Sequence, residues 1–344
     1  MYKLIIRPLF FKLQPERAHK AVFTALKVAN YLGLIPVLRS IFHPKSLHME
    51  TKLMGLTFPN KVGIAAGLDK NAEVYSVLGS MGFGHVEIGT VTPKPQPGNP
   101  KPRSFRLIDD EALINRMGFN NNGLEQAILN LKKRNPKLIV GGNIGKNTLT
   151  HNDNALDDYI ACFNGLYDFV DYIVVNVSCP NISDLHKLQD QDALELILRT
   201  LDGLRMKMAV RKPILLKISP DLNTHQLDET IEVINRCNID GVIATNTTTS
   251  RSNLKTDATK IKAMGNGGLS GKPIKDRSTE LIKYISTKTN GKLPIIGVGG
   301  IFNANDAIEK LNAGASLVQV YTGFIYEGPA IAKQINKAIY KLHM

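Results

Sequence analysis

The 344-residue chain has few cysteines. Cys162, Cys179 and Cys237 are too few and too scattered for a disulfide framework, and no pair of them has the spacing of metal ligands. The sequence therefore predicts a reducing compartment and no metal site. Any cysteine that matters to function is expected to act as a thiol.

The chain also lacks a secretory signal and a long apolar run. Arg7 and Lys12 interrupt the first apolar stretch, and no small-residue cleavage site follows it. The longest uncharged apolar stretch nearby, Val28–Leu38, is far shorter than the ~20 residues that span a bilayer. We expect no transmembrane segment.

Acidic residues are outnumbered, with 30 Asp and Glu against 43 Lys and Arg, a formal net charge of +13. A basic protein can meet nucleic acid, an anionic membrane or an anionic substrate. The basic residues are spread along the chain, and no five are consecutive. Most of them are therefore expected to form a solvated surface.

From about Val62 onward, short apolar runs alternate with longer amphipathic patterns, of which Asp192–Met208, His225–Arg236, Asp276–Lys288 and Ala304–Asn312 are the clearest helices. Continuous Val- and Ile-rich runs are typical of parallel strands buried on both faces. The pattern favours an α/β (β/α)8 TIM barrel over an open doubly wound sheet, because no early strand leads into a G-x-G-x-x-G turn. The predicted strands are Val62–Leu68, Val86–Val91, Leu138–Ile144, Tyr172–Val177, Ile214–Ile218, Gly241–Thr245, Pro294–Val298 and Leu317–Tyr321.

Two segments depart from the alternation. Between Val91 and Leu138, five prolines from Pro93 to Pro102 predict a long irregular loop with a functional role, followed by a helix over 124–134. Residues 1–48 predict a separate helical extension, with helices over 15–30 and 36–42. Residues 1–50 carry eight basic side chains and only two glutamates, so this unit is either a cap packed on the barrel or a surface for an anionic membrane.

Polar residues follow each predicted strand, where barrel enzymes place their chemistry. The strand ends read AAGLDKN, EIGTVTP, GGNIGKN, VVNVSCPN, LLKISPD, ATNTT, IIGVGG and VQVYTG. Strands seven and eight end in Gly299–Gly300 and Tyr321–Thr322–Gly323, where backbone N–H groups can approach an anion. The sequence predicts a phosphate site there and an amide- and lysine-rich substrate site beside it.

These motifs, together with NRMGFNN and GGLSGKP, resemble the dihydroorotate dehydrogenase family from Leu53 to Pro329. The amino-terminal segment resembles that of the membrane-associated, quinone-linked class, in which a short helical domain forms a quinone tunnel. The resemblance implies oxidation of dihydroorotate to orotate in pyrimidine synthesis, with FMN as cofactor and a membrane quinone as acceptor. It implies a peripheral location on the cytoplasmic face of the cell membrane, with an anionic membrane surface as partner and neither nucleic acid nor an obligate protein partner.

The family assigns roles by position. The quinone tunnel would include His19 and Arg106. FMN would be held by Ala66, Gly67, Lys70, Thr90, Asn143, Asn176, Lys217, Thr245, Gly271, Gly300, Tyr321 and Thr322. Orotate would be held by Lys70, Asn115, Arg116, Met117, Gly118, Phe119, Asn176, Asn181, Asn246 and Thr247. Asparagine offers an acceptor and two donors, which suits the amide edge of a pyrimidine.

Cys179 in NVSCPN stands where the family places the base for the C5 proton of dihydroorotate. The quinone-linked class normally has serine here and the soluble class has cysteine, so this chain combines a quinone-class body with a soluble-class base. A thiol of pKa near 8.5 is a better base than a hydroxyl. Cys162 and Cys237 lie within helical patterns and are expected to be small buried residues.

Three other functions are compatible with parts of the sequence. Cys179 favours a soluble acceptor such as fumarate. The positive charge and a cysteine near a flavin fit an RNA dihydrouridine synthase, but no RNA-binding region follows the last helix. A non-catalytic membrane-surface protein would use the basic helices and leave the polar strand ends unexplained.

Overall fold

The computed structural model describes residues 2–43, 49–132, 134–135, 137–178 and 191–342. The strands, numbered in chain order, are β1 (Thr51–Leu53), β2 (Leu56–Phe58), β3 (Val62–Ile64), β4 (His85–Val91), β5 (Ser104–Leu107), β6 (Ala112–Asn115), β7 (Ile139–Ile144), β8 (Tyr172–Asn176), β9 (Ile214–Ile218), β10 (Gly241–Ala244), β11 (Gly268–Gly271), β12 (Ile295–Val298) and β13 (Leu317–Val320). The α-helices are α1 (Arg7–Phe11), α2 (Pro15–Tyr31), α3 (Ile35–Phe42), α4 (Tyr75–Ser80), α5 (Gly123–Leu131), α6 (Ala155–Leu166), α7 (Gln191–Arg205), α8 (Thr224–Arg236), α9 (Ala258–Met264), α10 (Lys275–Lys288), α11 (Ala304–Asn312), α12 (Thr322–Glu327) and α13 (Ile331–Leu342).

Eight parallel strands close into a barrel in the order β3-β4-β7-β8-β9-β10-β12-β13, and β13 pairs back to β3. Every residue of β4, β8 and β9 is buried, because side chains fill the barrel on one face and helices cover the other. The predicted TIM barrel is confirmed, and each predicted strand coincides with a barrel strand.

Side chains cap the free N–H groups at the start of two of the barrel helices, α8 and α11. The Asn223 side chain accepts from the Gln226 amide and Gln226 returns a bond to the Asn223 backbone, which fixes the start of α8. The Asn303 side chain accepts from the Asp306 amide at the start of α11. Helix α11 therefore has the bounds that its apolar spacing predicts.

The first barrel strand is shorter than predicted. The apolar run over 62–68 predicts one strand, but β3 ends at Ile64 and the chain turns toward the barrel mouth. The Gly67 amide donates to the Gly89 carbonyl at 2.7 Å, and Gly67 has φ +96°, a conformation that favours glycine. Residues 65–68 are thus apolar because they are buried in a turn, and not because they extend a strand.

The long connection after β4 is more regular than predicted. Its middle forms the hairpin β5–β6, which joins β11 in a three-stranded antiparallel sheet in the order β11-β6-β5. Asn115 at the end of β6 pairs with both Ser104 and Gly268. The partner strand β11 lies more than 150 residues away in sequence, so local pattern alone does not reveal this sheet.

The hairpin β1–β2 covers the amino-terminal end of the barrel. Phe58 at its end is fully buried, and its ring packs edge-on against the His85 ring with centroids 5.4 Å apart. Apolar side chains from β8, β9, β10, β12 and β13 complete this interior cluster. The barrel is therefore closed at one end and open toward the polar strand ends.

Residues 2–42 form more helix than predicted. Helices α2 and α3 are close to the predicted bounds, but a π-helical turn (Tyr2–Ile6) and α1 precede them. Phe23 is buried against the barrel core, and Leu38 and Phe42 pack on it. No single helix among the described residues is long and apolar enough to cross a membrane, although α2 and α3 meet that criterion jointly and are bent by 112° at their junction.

Candidate active site

A pocket opens at the carboxyl ends of the barrel strands, beneath the β5-β6-β11 sheet. Its space is about 970 Å³ including the mouth, which lies in the range of sites for cofactors and small molecules. Seven of the eight barrel strands, or the turns after them, supply lining residues, and β7 supplies none of them. The lining residues are Ala65, Ala66, Gly67, Lys70, Thr90, Asn115, Met117, Gly118, Phe119, Asn176, Lys217, Thr245, Asn246, Thr247, Ser270, Gly271, Ile274, Val298, Gly299, Gly300, Ile301, Gln319, Val320, Tyr321, Thr322 and Gly323.

One end of the pocket consists largely of glycine backbone. Gly299 and Gly300 have φ +129° and +70°, and a Cβ on Gly323 would lie 1.9 Å from the Ile301 carbonyl oxygen. Ser270 Oγ and Thr322 Oγ1 are hydrogen-bonded at 2.8 Å beside them. Exposed backbone groups and hydroxyls with little side-chain bulk suit an anionic group such as a phosphate.

The opposite end is built from hydrogen-bonded amides. Asn176 Nδ2 donates to Thr90 Oγ1 at 3.0 Å, and Asn246 Nδ2 donates to Asn176 Oδ1 at 3.3 Å. The Thr247 amide donates to Asn246 Oδ1 at 2.9 Å, and the Tyr159 hydroxyl donates to the Asn176 carbonyl. These bonds hold the amides in fixed orientations before a ligand binds.

The loop over 117–119 closes one wall of the pocket. Gln96 Nε2 donates to the carbonyl oxygens of Gly118 and Phe119, each at 3.1 Å. Lys70 Nζ donates to Asn120 Oδ1. Burial raises the pKa of Asp69 to about 6, and its carboxylate accepts from two backbone amides at 2.7 and 2.8 Å, which fixes the turn that carries Lys70.

Lys217 on β9 brings a buried positive charge to the pocket floor. It is 5% exposed, and its Nζ lies 3.8 Å from Glu87 Oε1. That distance is too long for a hydrogen bond, and Nζ donates to no acceptor among the residues that the structure describes. A buried ammonium with unused donors is costly unless a ligand supplies acceptors.

Most of the predicted site residues line the pocket. For FMN these are Ala66, Gly67, Lys70, Thr90, Asn176, Lys217, Thr245, Gly271, Gly300, Tyr321 and Thr322, and for orotate they are Lys70, Asn115, Met117, Gly118, Phe119, Asn176, Asn246 and Thr247. Cys179 and Asn181 lie outside the described residues. Their neighbour Ser178 is described, and its Oγ donates to the Lys217 carbonyl at 2.8 Å, so the NVSCPN segment starts at the pocket.

Two of the predicted site residues, Asn143 and Arg116, do not line the pocket. Asn143 is fully buried below the floor, where it bonds Thr90 Oγ1 and Glu87. Arg116 points away from the pocket: its guanidinium donates to the carbonyls of Met264 and Pro102 and stacks over the Phe105 ring. Asn143 therefore supports the floor of the pocket, and Arg116 ties neighbouring loops together.

Sequence reasoning missed several lining residues, most of them apolar: Ala65, Ser270, Ile274, Val298, Ile301, Gln319 and Val320. It also missed Glu87, which lies below the floor. Gln319 and Glu87 had a signal that was available, since each is polar inside an otherwise apolar parallel strand.

His19 and Arg106 lie apart from this pocket, at the amino-terminal helices. His19 is exposed and its ring stacks on Phe23 with centroids 4.1 Å apart. Surrounding protein, and then the charge of Lys70, lower the pKa of His19 to about 4.

Arg106 ties β5 to the end of α1. Its Nη1 donates to the Leu13 carbonyl at 2.6 Å, and its guanidinium lies 4.5 Å from the centre of the Phe11 ring. Its Nε is buried and has no hydrogen-bond partner among the described residues. Arg106 therefore keeps one N–H available in the apolar surroundings of the helices.

The family model for dihydroorotate dehydrogenase matches residues 48–342. The chain belongs to the dihydroorotate dehydrogenase family. A dihydroorotate dehydrogenase (quinone) of Christiangramia forsetii is 53% identical over 340 residues, covering 98% of each chain. A protein of the same name from Chromobacterium violaceum is 46% identical over 338 residues, covering 97% of this chain and 96% of its own.

The family resemblance extends to solved structures. The crystal structure of the Eimeria tenella DHODH in complex with ferulenol superimposes with a TM-score of 0.84 at 36% identity, covering 95% of this chain and 91% of that chain. The ligand-free form from the same organism gives a TM-score of 0.80 over 89% of this chain and 92% of that one.

Proposed function

We propose that this chain oxidises dihydroorotate to orotate in pyrimidine synthesis, uses FMN as its bound cofactor and passes electrons to a membrane quinone. The observation that carries the proposal is the shared pocket of Lys70, Asn115, Asn176, Asn246 and the glycine-rich strand ends. Relatives of nearly full length are named dihydroorotate dehydrogenase (quinone). Flavin chemistry is general to this family.

The chemistry of the lining residues fits FMN. The glycine backbone at 299–300 and the hydroxyl of Thr322 would hold the phosphate, and the buried ammonium of Lys217 would face the electron-rich part of the ring. When bound, FMN supplies the acceptor for the hydride that leaves C6 of dihydroorotate and the donor of electrons to the quinone. Burial raises the pKa of Tyr321 to about 12, so its phenol stays protonated at the pocket wall.

The protein's own groups bind and orient the pyrimidine. Asn115, Asn176 and Asn246 would pair with its amide edge, and Lys70 would attract its carboxylate. Cys179, the residue after Ser178, would take the C5 proton. The Ser178 hydroxyl donates to the Lys217 carbonyl at 2.8 Å and so holds the end of β8 to β9 at this point.

Residues 1–48 are proposed to form the quinone tunnel and to dock on an anionic membrane at the cytoplasmic face, while residues 49–344 form the barrel unit. Helices α2 and α3 and the turn between them expose Tyr31 (90%), Leu32, Val37 and Ile41. A basic segment with exposed apolar side chains suits an interfacial position. The imidazole of His19 and the Nε of Arg106 would face the quinone.

A soluble acceptor such as fumarate is the second candidate. One observation favours it, namely that Cys179 is the base found in the soluble class. The exposed apolar helices favour the quinone, because a soluble acceptor gives them no purpose.

The test is anaerobic titration of the purified protein with dihydroorotate, followed by reoxidation with a quinone and, separately, with fumarate. We expect yellow protein that bleaches with dihydroorotate and recovers its colour with quinone. Colourless protein, or flavin that dihydroorotate does not reduce, would exclude the proposed reaction. If the yellow colour returns with fumarate and not with quinone, the acceptor is fumarate and the proposed quinone acceptor is wrong.

A further inference from the structure

Glu87 is a carboxylate at the centre of the barrel, below the pocket floor. It is fully buried on β4 and is not among the residues that line the pocket. Its Oε1 accepts from Asn143 Nδ2 at 2.8 Å, and its Oε2 accepts from Gln319 Nε2 at 2.9 Å. Lys217 Nζ approaches Oε1 to 3.8 Å. Both oxygens of Glu87 therefore face donors.

This arrangement decides how the Asn143 amide points. An asparagine side chain has donors on one branch and an acceptor on the other. Because Nδ2 of Asn143 faces Glu87, Oδ1 faces the opposite way, where it accepts from Thr90 Oγ1 at 2.6 Å and from Asn176 Nδ2 at 3.3 Å. The Asn143 amide thus passes the direction set by Glu87 to the next residue.

The same reasoning applies to Asn176, which lines the pocket. Its Nδ2 is used by Thr90 Oγ1 and Asn143 Oδ1. Its Oδ1 then faces Asn246 Nδ2 at 3.3 Å and the Ser178 amide at 3.4 Å. Asn246 is anchored independently at the far end by the Thr247 amide. The row from Glu87 to Thr247 is therefore consistent in direction along its whole length.

Within this row the Thr90 hydroxyl cannot decide the direction, because a hydroxyl can rotate to donate or to accept. The asparagine amides can turn over as well. A carboxylate that receives donors on both oxygens accepts only. At the barrel end of the row, Glu87 is the described side chain that can only accept hydrogen bonds.

We infer that Glu87 is a positioning residue: it fixes the amide orientation of Asn143 and, together with the Thr247 amide at the other end of the row, sets which atom of Asn176 meets the substrate. The inference deepens the proposed function, on which it rests for the identity of the substrate. A pyrimidine presents alternating donors and acceptors on its edge. A reversed Asn176 would set donor against donor and acceptor against acceptor, so Glu87 contributes to specificity without touching the ligand.

The test compares Glu87→Met with Glu87→Gln in FMN-loaded protein, by titration with orotate and the change in flavin absorbance. Methionine removes the acceptor. Lys217, which approaches the same oxygen of Glu87 as Asn143 does, is then the charged donor left beside Asn143, and it attracts Oδ1 and turns the amide. We expect the orotate dissociation constant to rise about 10- to 100-fold, the usual effect of a mismatched buried hydrogen bond.

Glutamine removes the charge and keeps an acceptor. Its oxygen can face Asn143 and Lys217, while its NH₂ faces Gln319, whose Oε1 has no hydrogen-bond partner among the described residues and can turn to receive it. We expect Glu87→Gln to bind orotate within about threefold of the unchanged protein. Equal losses in the Gln and Met variants would show that charge, and not direction, is what matters, and would overturn the inference. Unchanged affinity in Glu87→Met would overturn it too.

His85→Met is the matched control. His85 is equally buried in the barrel, two residues earlier on the same strand, and has no link to the amide row. The His85→Met variant should bind orotate within about threefold of the unchanged protein. If it loses as much affinity as Glu87→Met does, both losses come from disturbed packing, which would overturn the inference.

A measurement without any substitution covers the case in which Glu87→Met does not fold. Neutron diffraction from deuterated crystals of the unchanged protein would locate the amide deuterons directly. We expect those of Asn143 to face Glu87 and those of Asn176 to face Thr90, and the reverse orientation would overturn the inference. Failure of the unchanged, FMN-loaded protein to bind orotate would instead count against the proposed function, and the neutron result would stand apart from it.

Discussion

The barrel pocket and the amino-terminal residues 2–42 are neighbours that expose opposite kinds of side chain. In the pocket, amides and lysines converge, and most of them already have hydrogen-bond partners. In residues 2–42, apolar side chains face outward, including Leu4 at 83% and Tyr31 at 90% exposure. The first region is prepared for a small polar molecule, and the second is prepared for an apolar surface.

The two regions meet at α12, whose first residue, Thr322, lines the pocket. The Tyr2 hydroxyl donates to the Ile325 carbonyl at 2.6 Å, and Lys3 pairs with Glu327 at 2.5 Å. The amino-terminal segment therefore rests on the helix that begins at the predicted phosphate site. Electrons taken from a polar substrate can reach an apolar acceptor over a short path only if the two regions share such a boundary.

The largest expected effect separates proton transfer from binding within the barrel. Cys179→Ala should keep FMN bound and slow reduction of the flavin by dihydroorotate about 10²- to 10⁴-fold, the usual contribution of a general base. Cys179→Ser should retain partial activity that improves at higher pH. Anaerobic stopped-flow at the flavin absorbance band measures both. A normal rate in the alanine variant would remove Cys179 as the base.

Removal of residues 1–48 should separate quinone reduction from the reactions of the barrel pocket. We expect quinone reduction to be abolished, while flavin content and reduction by dihydroorotate persist. The reason is that the pocket residues all lie after this segment, whereas His19 and the carbonyls that Arg106 holds lie within it. Steady-state assays with a quinone and with ferricyanide distinguish the two activities. Quinone turnover that survives the truncation would contradict the tunnel.

A smaller effect is expected from the outward face of α2 and α3. Tyr31→Ser with Leu32→Ser removes two exposed apolar side chains, each worth ~1–2 kcal/mol on burial, so binding to anionic vesicles should weaken about 30- to 900-fold. Leu149→Ser is the matched control, because Leu149 is 100% exposed on the barrel. Co-sedimentation with vesicles measures both. Equal losses would mean that no particular face meets the membrane.

The barrel was predictable because its strands are continuous apolar runs and its helices α8 and α11 are capped locally, as at Asn303 of α11. The hairpin β5–β6 was not, because its four-residue strands gain their third partner, β11, from the other half of the chain. The turn Tyr2–Ile6 and α1 were also missed. They contain no buried residue, so no amphipathic period marks them.

The site was predictable where motifs end strands, and less so below the floor. Asn143 and Arg116 occupy motif positions, yet one supports the floor and the other holds loops, since a motif gives position in the chain and not the direction of a side chain. Glu87 carried a signal in its own strand, a charge within the apolar run of β4. A charge inside a parallel strand is worth following, because burying it demands partners.

The smallest expected effect compares a histidine in each region under acid. Burial lowers the pKa of His85 in the barrel to about 3, below its ordinary value of 6.5. Between these pH values the unfolded chain binds a proton that the folded chain does not, so stability is present above pH 6.5 and is lost as pH falls, by up to ~1.4 kcal/mol per pH unit. Exposed His19 should contribute less, because solvent screens it.

Urea unfolding of the FMN-loaded protein at pH 7 and pH 5 measures this loss. His85→Gln should reduce the acid sensitivity more than His19→Gln does. The buried carboxyl of Asp69, whose pKa is raised to about 6, acts in the opposite direction but equally in all three proteins, so it cancels in the comparison. If the free energy of unfolding of His85→Gln falls between pH 7 and pH 5 as steeply as that of the unchanged protein, protonation of His85 is not the cause of the acid sensitivity.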